Sequence, residues 1–190
     1  MNSYKILNKQ TYSTGKYSLV PIRFEDRFDI MKWRNEQMYH LRQNKLLTIN
    51  EQESYFKNTV SLLFSQLQPN QILFSFLRND VLIGYGGLVH INWLDNNLEM
   101  SFLVDTKILN DSYDYKDCFS AYISLIKYVS FNELKFNKLY TETYDLRDEH
   151  IKVLESNNFV LEGVLRKHIF FEDKYYNSLF HSILLDEYDN

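Results

Sequence analysis

The most constraining feature of this sequence is a series of three β-rich runs that are separated only by short turns. Residues 71–78 read QILFSFLR, and residues 81–90 read VLIGYGGLVH. The Asn-Asp pair between them is the kind of two-residue link that favours a β-hairpin. A second turn at residues 95–97 leads into a third run, LEMSFLV, at residues 98–104. We therefore expect an antiparallel meander in the middle of the chain.

Helical patterns flank this meander. Thr48 and Glu51 have the spacing of a capping box, which predicts a helix that begins at Thr48 and ends before Pro69. After the meander, apolar residues recur every three or four positions between 119 and 130, as on the buried face of a helix. Asp145 can cap a further helix.

Other β-rich runs and one short helical pattern complete the order. The resulting sequence of elements, β-α-α-β-β-β-α-β-α-β-β, predicts an α/β domain with a mixed central sheet of about seven strands and four helices on its faces. The additional strands are expected at residues 17–23, 138–144 and 160–185, and the short helix at residues 26–33.

Length and composition indicate one domain. The chain has 190 residues with only 5 Gly and 2 Pro, which is typical of an ordered protein of single-domain size. We expect residues 1–16 to be a polar N-terminal extension and residues 17–190 to be the domain. With one cysteine, no apolar leader and no long apolar run, a cytoplasmic protein without a membrane segment is expected. A net charge of −4 and no metal-type Cys/His spacing favour neither nucleic acid nor a metal as a ligand.

Four short segments carry a family resemblance: VLIGYGGL at residues 81–88, NLEMSFLV at 97–104, LESNNF at 154–159 and WRNE at 33–36. The first two resemble the third and fourth strands of the GCN5-related N-acetyltransferase (GNAT) family. The third resembles the branch that holds ribosomal-protein N-terminal and spermidine acetyltransferases. The fourth is similar to acetyltransferases of nucleotide-linked amino sugars. The resemblance implies transfer of an acetyl group from acetyl-CoA to a primary amine, with no metal.

The resemblance also implies catalytic residues. Glu99 lies where many family members hold a general base, and Ser101 shares its strand face. An amine with a pKa of ~10 is protonated at pH 7, so it needs such an acceptor before it can attack. The alternative for Glu99 is a charged residue at a sheet edge, or one paired with an Arg of a helix. Leu154 stands where the family holds a proton-donating Tyr, so Tyr144 and His150 become the candidate acids, with packing as their alternative role.

The expected cofactor contacts lie on both sides of the loop that follows the fourth strand. The resemblance implies that the pantetheine arm of acetyl-CoA pairs with the strand edge, and that its diphosphate rests on amides at the start of the next helix. Residues 110–119 read NDSYDYKDCF and lack the family's glycines. The predicted contacts are Phe102, Leu103 and Val104 for the arm, and the amides of Lys116, Asp117 and Cys118 for the diphosphate.

Three glycines at positions 84, 86 and 87 lie inside a strand pattern instead of between a strand and a helix. This context does not fit a dinucleotide-binding fingerprint. We interpret these glycines as positions of close sheet packing.

The amine substrate is expected between the segment at residues 34–45 and the last pair of strands. The basic side chains of that segment suit an acceptor with a phosphate or carboxylate better than a polyamine. An ordinary solvated loop is the alternative. The predicted substrate-binding residues are Arg34, Asn35, Arg42, Arg166 and His168.

Three functional hypotheses follow. The first is an acetyltransferase that acts on a nucleotide-linked amino sugar or another small anionic amine. The second is a protein N-terminal acetyltransferase of the ribosomal-protein type. The third is a catalytically silent binding protein with the same fold. A homodimer is a possible assembly in each case.

Overall fold

One mixed sheet organises the protein. The computed structural model describes residues 3–188, and within them eight strands follow the order β1-β2-β3-β4-β5-β6-β8-β7. The strands are β1 Tyr12–Thr14, β2 Tyr17–Pro21, β3 Ile72–Arg78, β4 Val81–Asn92, β5 Asn97–Val104, β6 Lys138–Tyr144, β7 Val160–Phe171 and β8 Lys174–Leu184. The helices are α1 Arg27–Glu36, α2 Ile49–Tyr55, α3 Ser61–Leu63, α4 Ser112–Lys127, α5 Asp148–Ser156 and α6 Leu185–Tyr188. The predicted α/β class is confirmed, with one strand more than expected.

The central meander is formed by β3, β4 and β5, as predicted. Asn79 and Asp80 both adopt positive φ angles, 49° and 66°, which match the tight turns that join twisted antiparallel strands. Arg78 pairs directly with Val81 across this turn. The hairpin register is therefore fixed by local chemistry.

The predicted capping box at the start of α2 is also present. Thr48 Oγ1 accepts a hydrogen bond from the Glu51 amide at 3.3 Å, and the Glu51 carboxylate accepts from the Thr48 amide at 2.9 Å. From α2 the chain continues through a π-helical turn, Phe56–Val60, into α3. The helical path ends at Leu63, before Pro69, as expected.

The segment that was expected to be a polar extension packs against the sheet. Tyr4, Leu7 and Tyr12 are buried in the hydrophobic core. The Tyr4 hydroxyl donates to the carbonyl oxygen of Leu73 at 2.9 Å and accepts from its amide at 2.8 Å. Sparse aromatic residues in a polar stretch thus add β1 to the sheet, whereas Met1 and Asn2 lie outside the described residues.

An opening in the sheet positions the functional site. The parallel pairing of β5 with β6 is limited to residues 97–99 and 138–140, whereas β6 pairs with β8 along its whole length. Beyond Glu99 the two strands separate. Phe102 packs on α4, and Glu99 points to the opposite face, toward the segment after α1. The gap therefore connects the two faces of the sheet.

Candidate active site

A cavity of about 580 Å³ lies where β5 and β6 separate. Side chains from both sheet faces line it, which follows from the gap between the strands. All four predicted catalytic residues are among its lining residues: Glu99, Ser101, Tyr144 and His150. The cavity therefore brings together residues that are far apart in sequence.

Glu99 is a buried carboxylate that lines the cavity. Its side chain is 9% exposed. Its two oxygens accept hydrogen bonds from Arg42 Nη2 at 3.1 Å and from His90 Nδ1 at 2.6 Å. The pairing of a strand carboxylate with an Arg, considered above as an alternative, is present together with the geometry of a candidate base.

The sequence alone did not single out His90. This residue has a φ of 46° and lies at an irregularity in the β4–β5 pairing between Val89 and Asn92. Such bulges redirect a side chain, and here the imidazole reaches Glu99 while 60% of its surface stays in solvent. The contact depends on the register of β4 and β5, in which the preceding residue, Val89, pairs with Glu99, and no local sequence pattern indicates that register.

Arg42 bridges two carboxylates instead of standing free. Its guanidinium donates to Glu99 and to Glu142, and Ser178 also donates to Glu142. Burial raises the pKa of Glu142, but the hydrogen bonds from Ser178 and Arg42 outweigh it, so this pKa lies below its ordinary value. Much of the positive charge of Arg42 is therefore matched by these two carboxylates.

Arg34 has a different environment in the same cavity. Its Nη1 donates to the Tyr85 hydroxyl at 2.7 Å and its Nε donates to Gln43 at 3.0 Å, and both partners are neutral. Among residues 3–188, no carboxylate lies within ion-pair distance of this guanidinium. Arg34 is thus a partly buried cation that faces the cavity without a counter-ion.

Asn35 holds the loop beside Arg34 in place. Its amide nitrogen donates to the carbonyl oxygen of Leu47 at 3.0 Å, and its amide oxygen accepts from the Leu47 amide at 2.8 Å. Gln43 donates to the same oxygen at 3.0 Å. The Asn35 side chain thus fixes the loop that carries Arg42, which lines the cavity.

On the α4 side of the gap, His150 belongs to a hydrogen-bonded chain. Tyr115 Oη lies 2.6 Å from His150 Nδ1, and Arg147 Nη2 donates to the same Tyr115 oxygen at 3.1 Å. Burial lowers the pKa of His150 well below its ordinary value, and the Arg147 charge acts in the same direction. His150 is therefore neutral at pH 7.

Tyr144 lies at the end of β6 and is buried. Burial raises its pKa and the Glu142 charge adds to this, while Arg42 opposes both. Tyr144 therefore keeps its hydroxyl proton at pH 7 and can serve as a hydrogen-bond donor.

The edge of β5 carries the groups predicted to meet the pantetheine arm. The Asp105 amide donates to the carbonyl oxygen of Ile83 at 2.8 Å, which makes Leu103 and Tyr85 a hydrogen-bonded pair of the β4–β5 ladder. Backbone groups of Phe102 and Val104 therefore face the gap, and those of Leu103 do not. The Val104 carbonyl accepts from Gln37 at 2.8 Å, so Phe102 presents the more open pair of groups.

The prediction that amides of Lys116, Asp117 and Cys118 contact a diphosphate is wrong. The helix α4 begins earlier, at Ser112, so these amides lie beyond its first turn and bond within the helix. The Asp117 carboxylate faces the β1–β2 hairpin, where it accepts from the Tyr17 hydroxyl at 2.8 Å. The Cys118 side chain is fully buried.

At Ser112, where α4 begins, a side-chain carboxylate already binds the free amides that could otherwise bind a phosphate. Asp111 Oδ1 accepts from the amides of Tyr113 at 3.0 Å and Asp114 at 3.1 Å. A phosphate group at this helix terminus would have to compete with that side chain. The residues present fit the thioester and pantetheine end of acetyl-CoA, and they form no preformed cradle for its diphosphate.

The last hairpin contributes less to the site than expected. Arg166 and His168 lie on β7 with exposed side chains, and neither lines the cavity. His168 is close enough to lower the pKa of Glu142 slightly by its charge. The substrate-binding role of both residues therefore stays a prediction.

The glycines of β4 serve close packing, as interpreted from the sequence. A Cβ atom at Gly86 would lie 2.2 Å from the Ser101 carbonyl oxygen and 2.4 Å from the Tyr122 hydroxyl. That hydroxyl donates to the Ser101 carbonyl at 2.6 Å. Gly86 thus lets α4 bind the backbone of β5 directly below the cavity.

The described residues show two further features. Within residues 3–188, no cluster of three or more His, Cys, Asp or Glu side chains could hold a metal ion. No helix in that range combines the length and the apolar character needed to cross a bilayer.

Comparisons with known proteins agree with this geometry. The chain is similar to spermidine N-acetyltransferase from Vibrio cholerae in complex with CoA and spermine, with 18% identity, a TM-score of 0.78, and coverage of 93% of this chain and 100% of the other. A dodecameric structure of spermidine N-acetyltransferase from Vibrio cholerae gives a TM-score of 0.77 at 18% identity, with coverage of 93% and 98%. At this identity the likeness shows a shared fold. No curated protein matches the sequence.

A family model gives the more direct result. The model described as Acetyltransferase (GNAT) domain matches residues 19–180, which include β3 to β7, parts of β2 and β8, and every residue that lines the cavity. The predicted resemblance is confirmed, and with it the prediction of an enzyme of the acetyltransferase class. This chain belongs to the GNAT acetyltransferase family.

Proposed function

We propose that this protein transfers an acetyl group from acetyl-CoA to the primary amine of a small molecule that also carries an anionic group. The observation that carries this proposal is Arg34, a cavity cation whose hydrogen-bond partners are neutral. A partly buried guanidinium without a counter-ion favours a phosphate or carboxylate as its ligand. A nucleotide-linked amino sugar combines such a group with an amine.

Arg42, which also lines the cavity, does not compete for this role. Arg42 is held by Glu99 and Glu142, so an anionic ligand at that position would meet two carboxylates. Acceptor recognition therefore divides the cavity: the anionic group lies toward Arg34, and the amine lies toward Glu99. This polarity would orient an amine-bearing anion and disfavour a polycation.

Glu99 supplies the proton acceptor in this proposal. The ammonium form of the amine cannot attack a thioester, and a carboxylate beside it can take one proton. His90 lies 2.6 Å from Glu99 and is largely exposed, so it offers that proton a route to solvent. Buried Tyr144 stays protonated and can donate a hydrogen bond within the cavity.

Acetyl-CoA, when bound, supplies the acetyl group as a thioester with a thiol leaving group. The chain contributes the β5 edge at Phe102, whose backbone groups face the gap. The cavity reaches both faces of the sheet, so donor and acceptor can approach each other from opposite sides.

The acceptor class can be tested directly. Purified protein and acetyl-CoA are incubated with UDP- and dTDP-linked 4-amino sugars, with spermidine, and with peptides that begin with Arg or Ser, and acetylated product is quantified by mass spectrometry. We expect turnover of at least one anionic amine. Turnover of the peptides alone or of spermidine alone would overturn the anionic acceptor. No acetyl-CoA binding at millimolar concentration in calorimetry would favour a silent binding protein.

The role of Arg34 has a matched pair of variants. Arg34→Gln removes the charge, and we expect KM for the anionic amine to rise about tenfold or more, because hydrogen bonds to charged groups are worth about 1.5–3 kcal/mol. Arg34→Lys keeps the charge and should lose less. Equal KM values for wild type and Arg34→Gln would contradict this assignment.

We further propose that a second copy of this chain pairs along β7. This strand is at the end of the sheet order, so one edge of its backbone has no neighbouring strand among the described residues. Large apolar side chains along it are exposed: Val160, Leu161, Val164, Leu165 and Phe170. An exposed apolar edge strand is a template for pairing, and two identical antiparallel edges can pair about a twofold axis.

A further inference from the structure

We propose that His150 is a catalytic hydrogen-bond donor, and that Tyr115 and Arg147 are positioning residues that fix its Nε2–H tautomer. This inference rests on the proposed acetyl transfer, because the donor would act on the negative charge that develops on the thioester when an amine attacks. It also supplies a polar group on a helix where Leu154 replaces the family's Tyr.

The directions of the hydrogen bonds follow from which atoms of Arg147, Tyr115 and His150 can donate and which can accept. A guanidinium can only donate, so Arg147 uses the Tyr115 oxygen as an acceptor at 3.1 Å. The Tyr115 hydroxyl is buried, and His150 Nδ1, 2.6 Å away, is its one available acceptor among residues 3–188, so its single hydrogen is directed to that atom. An Nδ1 atom that accepts a hydrogen bond carries no hydrogen in a neutral ring. The hydrogen of His150 therefore resides on Nε2.

Packing fixes the orientation of the ring. His150 is stacked on Phe119, with ring centroids 4.2 Å apart and an angle of 16° between the planes. Phe102, on the edge of β5, lies on the same stack. Only 5% of the His150 surface is accessible, and the residue lines the cavity. Within residues 3–188, Nε2 has no hydrogen-bond partner, so its hydrogen is available to a ligand.

The charges around His150 make it a donor and not a proton source. Burial, followed by the charge of Arg147, lowers the pKa of His150, so the ring stays neutral. Burial raises the pKa of Tyr115 to about 12. A thiol has a pKa near ~8.5, so a proton relay from Tyr115 through His150 to a departing thiolate would run uphill. A fixed N–H dipole can stabilise developing charge without any proton transfer.

The tautomer can be measured without turnover. The full-length protein with ¹⁵N-labelled histidine is examined by NMR, in which protonated and unprotonated ring nitrogens have distinct shifts and couplings. We expect His150 to show Nε2–H with an unprotonated Nδ1. In Tyr115→Phe and in Arg147→Met, the tautomer preference should weaken. A wild-type signal of Nδ1–H would overturn the proposal, whatever the acetylation assay shows.

Kinetics test the catalytic part. His150→Phe keeps an aromatic ring but removes the donor, and we expect kcat to fall about a hundredfold with little change in KM, as for loss of one oxyanion donor. His150→Gln restores an N–H near the Nε2 position and should recover part of kcat. Tyr115→Phe should lower kcat less than His150→Phe. Circular dichroism checks that each variant is folded, and wild-type kcat in folded His150→Phe would overturn the role.

The two proposals fail in different ways. A protein that acetylates no amine would overturn the proposed function, and the NMR result would still decide the tautomer. A protein that acetylates an amine equally well without His150 would keep the proposed function and remove this donor from it.

Discussion

Glu99 contacts Arg42, which lies in the loop after α1, and the exposed imidazole of His90 on β4, and it also lines the open cavity. A carboxylate held this way has a fixed position and a defined route for a proton.

Replacement of Glu99 by Gln tests its role as base. The variant keeps the shape but cannot accept a proton, so kcat should fall by about a hundredfold or more. The remaining rate should rise with pH, because only amine that has already lost its proton to solvent can attack. Initial rates measured from pH 6 to 10 check this.

Glu142→Gln is the matched control, because it also removes a carboxylate that binds Arg42. We expect a smaller loss of kcat and no upward shift of its pH profile. An unchanged pH profile in Glu99→Gln would remove Glu99 as the base.

Local signals predicted two elements correctly, but the cap predicted at Asp145 is wrong: the N-cap residue of α5 is Arg147, and the Asp145 carboxylate accepts from Asn177 instead. The turn at Asn79-Asp80 and the capping box at Thr48 depend on neighbours within a few residues, and both were predictable from the sequence. The start of α4 was not, although Asp111 has the side chain of an N-cap. The family's glycine loop suggested a later helix start, and the local capping signal proved to be the better guide.

The start of α4 carries a prediction about the cofactor. Asp111→Asn keeps an oxygen that can cap the helix but removes the negative charge from the amides of Tyr113 and Asp114. We expect CoA to bind about two- to fivefold more tightly, since a charge at a helix N-terminus is worth about 0.3–1 kcal/mol and a phosphate would no longer meet the Asp111 negative charge. Isothermal titration calorimetry measures this.

Pantetheine, which lacks the diphosphate, provides the control ligand. Its affinity should be the same for wild type and Asp111→Asn. Equal tightening of both ligands would show that the effect of Asp111 is not exerted through the diphosphate.

The long-range contacts that complete the site could not be predicted from the sequence. Arg42 meets Glu142 across 100 positions, and Tyr115 meets His150 across 35. Such pairs depend on how the sheet and helices pack, and no local pattern encodes them. The sequence predicted most of the elements, although not β1, and placed Glu99 and His150 in the site. The partners of these residues required the fold.

Buried histidines make the stability of the whole domain depend on pH. Burial lowers the pKa of His40 to about 2 and lowers that of His150 as well. The unfolded chain then binds more protons than the folded chain below pH ~6.5, so stability falls as pH decreases from 7 to 5. Each fully buried histidine would contribute up to about 2 kcal/mol over this range.

Urea unfolding at pH 7 and pH 5 measures this slope. The variant His40→Gln should reduce it, whereas His168→Asn, which changes an exposed residue on β7, should leave it the same. A free energy of unfolding that does not change between the two pH values would contradict the prediction.

Assembly along β7 is tested by light scattering coupled to gel filtration. Val164→Lys places a charge on the exposed edge strand, and we expect it to lower the mass of a dimer to that of a monomer. Leu94→Lys changes a residue that is 88% exposed in the turn between β4 and β5 and serves as control. A monomeric wild type would contradict this assembly.

The short pairing of β5 with β6 has one more consequence. Only three residue pairs join the two parts of the sheet, β1 to β5 and β6 to β8, along this seam. The two strands are hydrogen-bonded up to Glu99 and separate beyond it, so Glu99 is the residue about which the two parts could move as about a hinge. A ligand whose amides bond to the separated strand edges would supply the hydrogen bonds that β5 and β6 do not make with each other. Binding would then stiffen the domain as well as hold the ligand, and the hinge residue is also the proposed base.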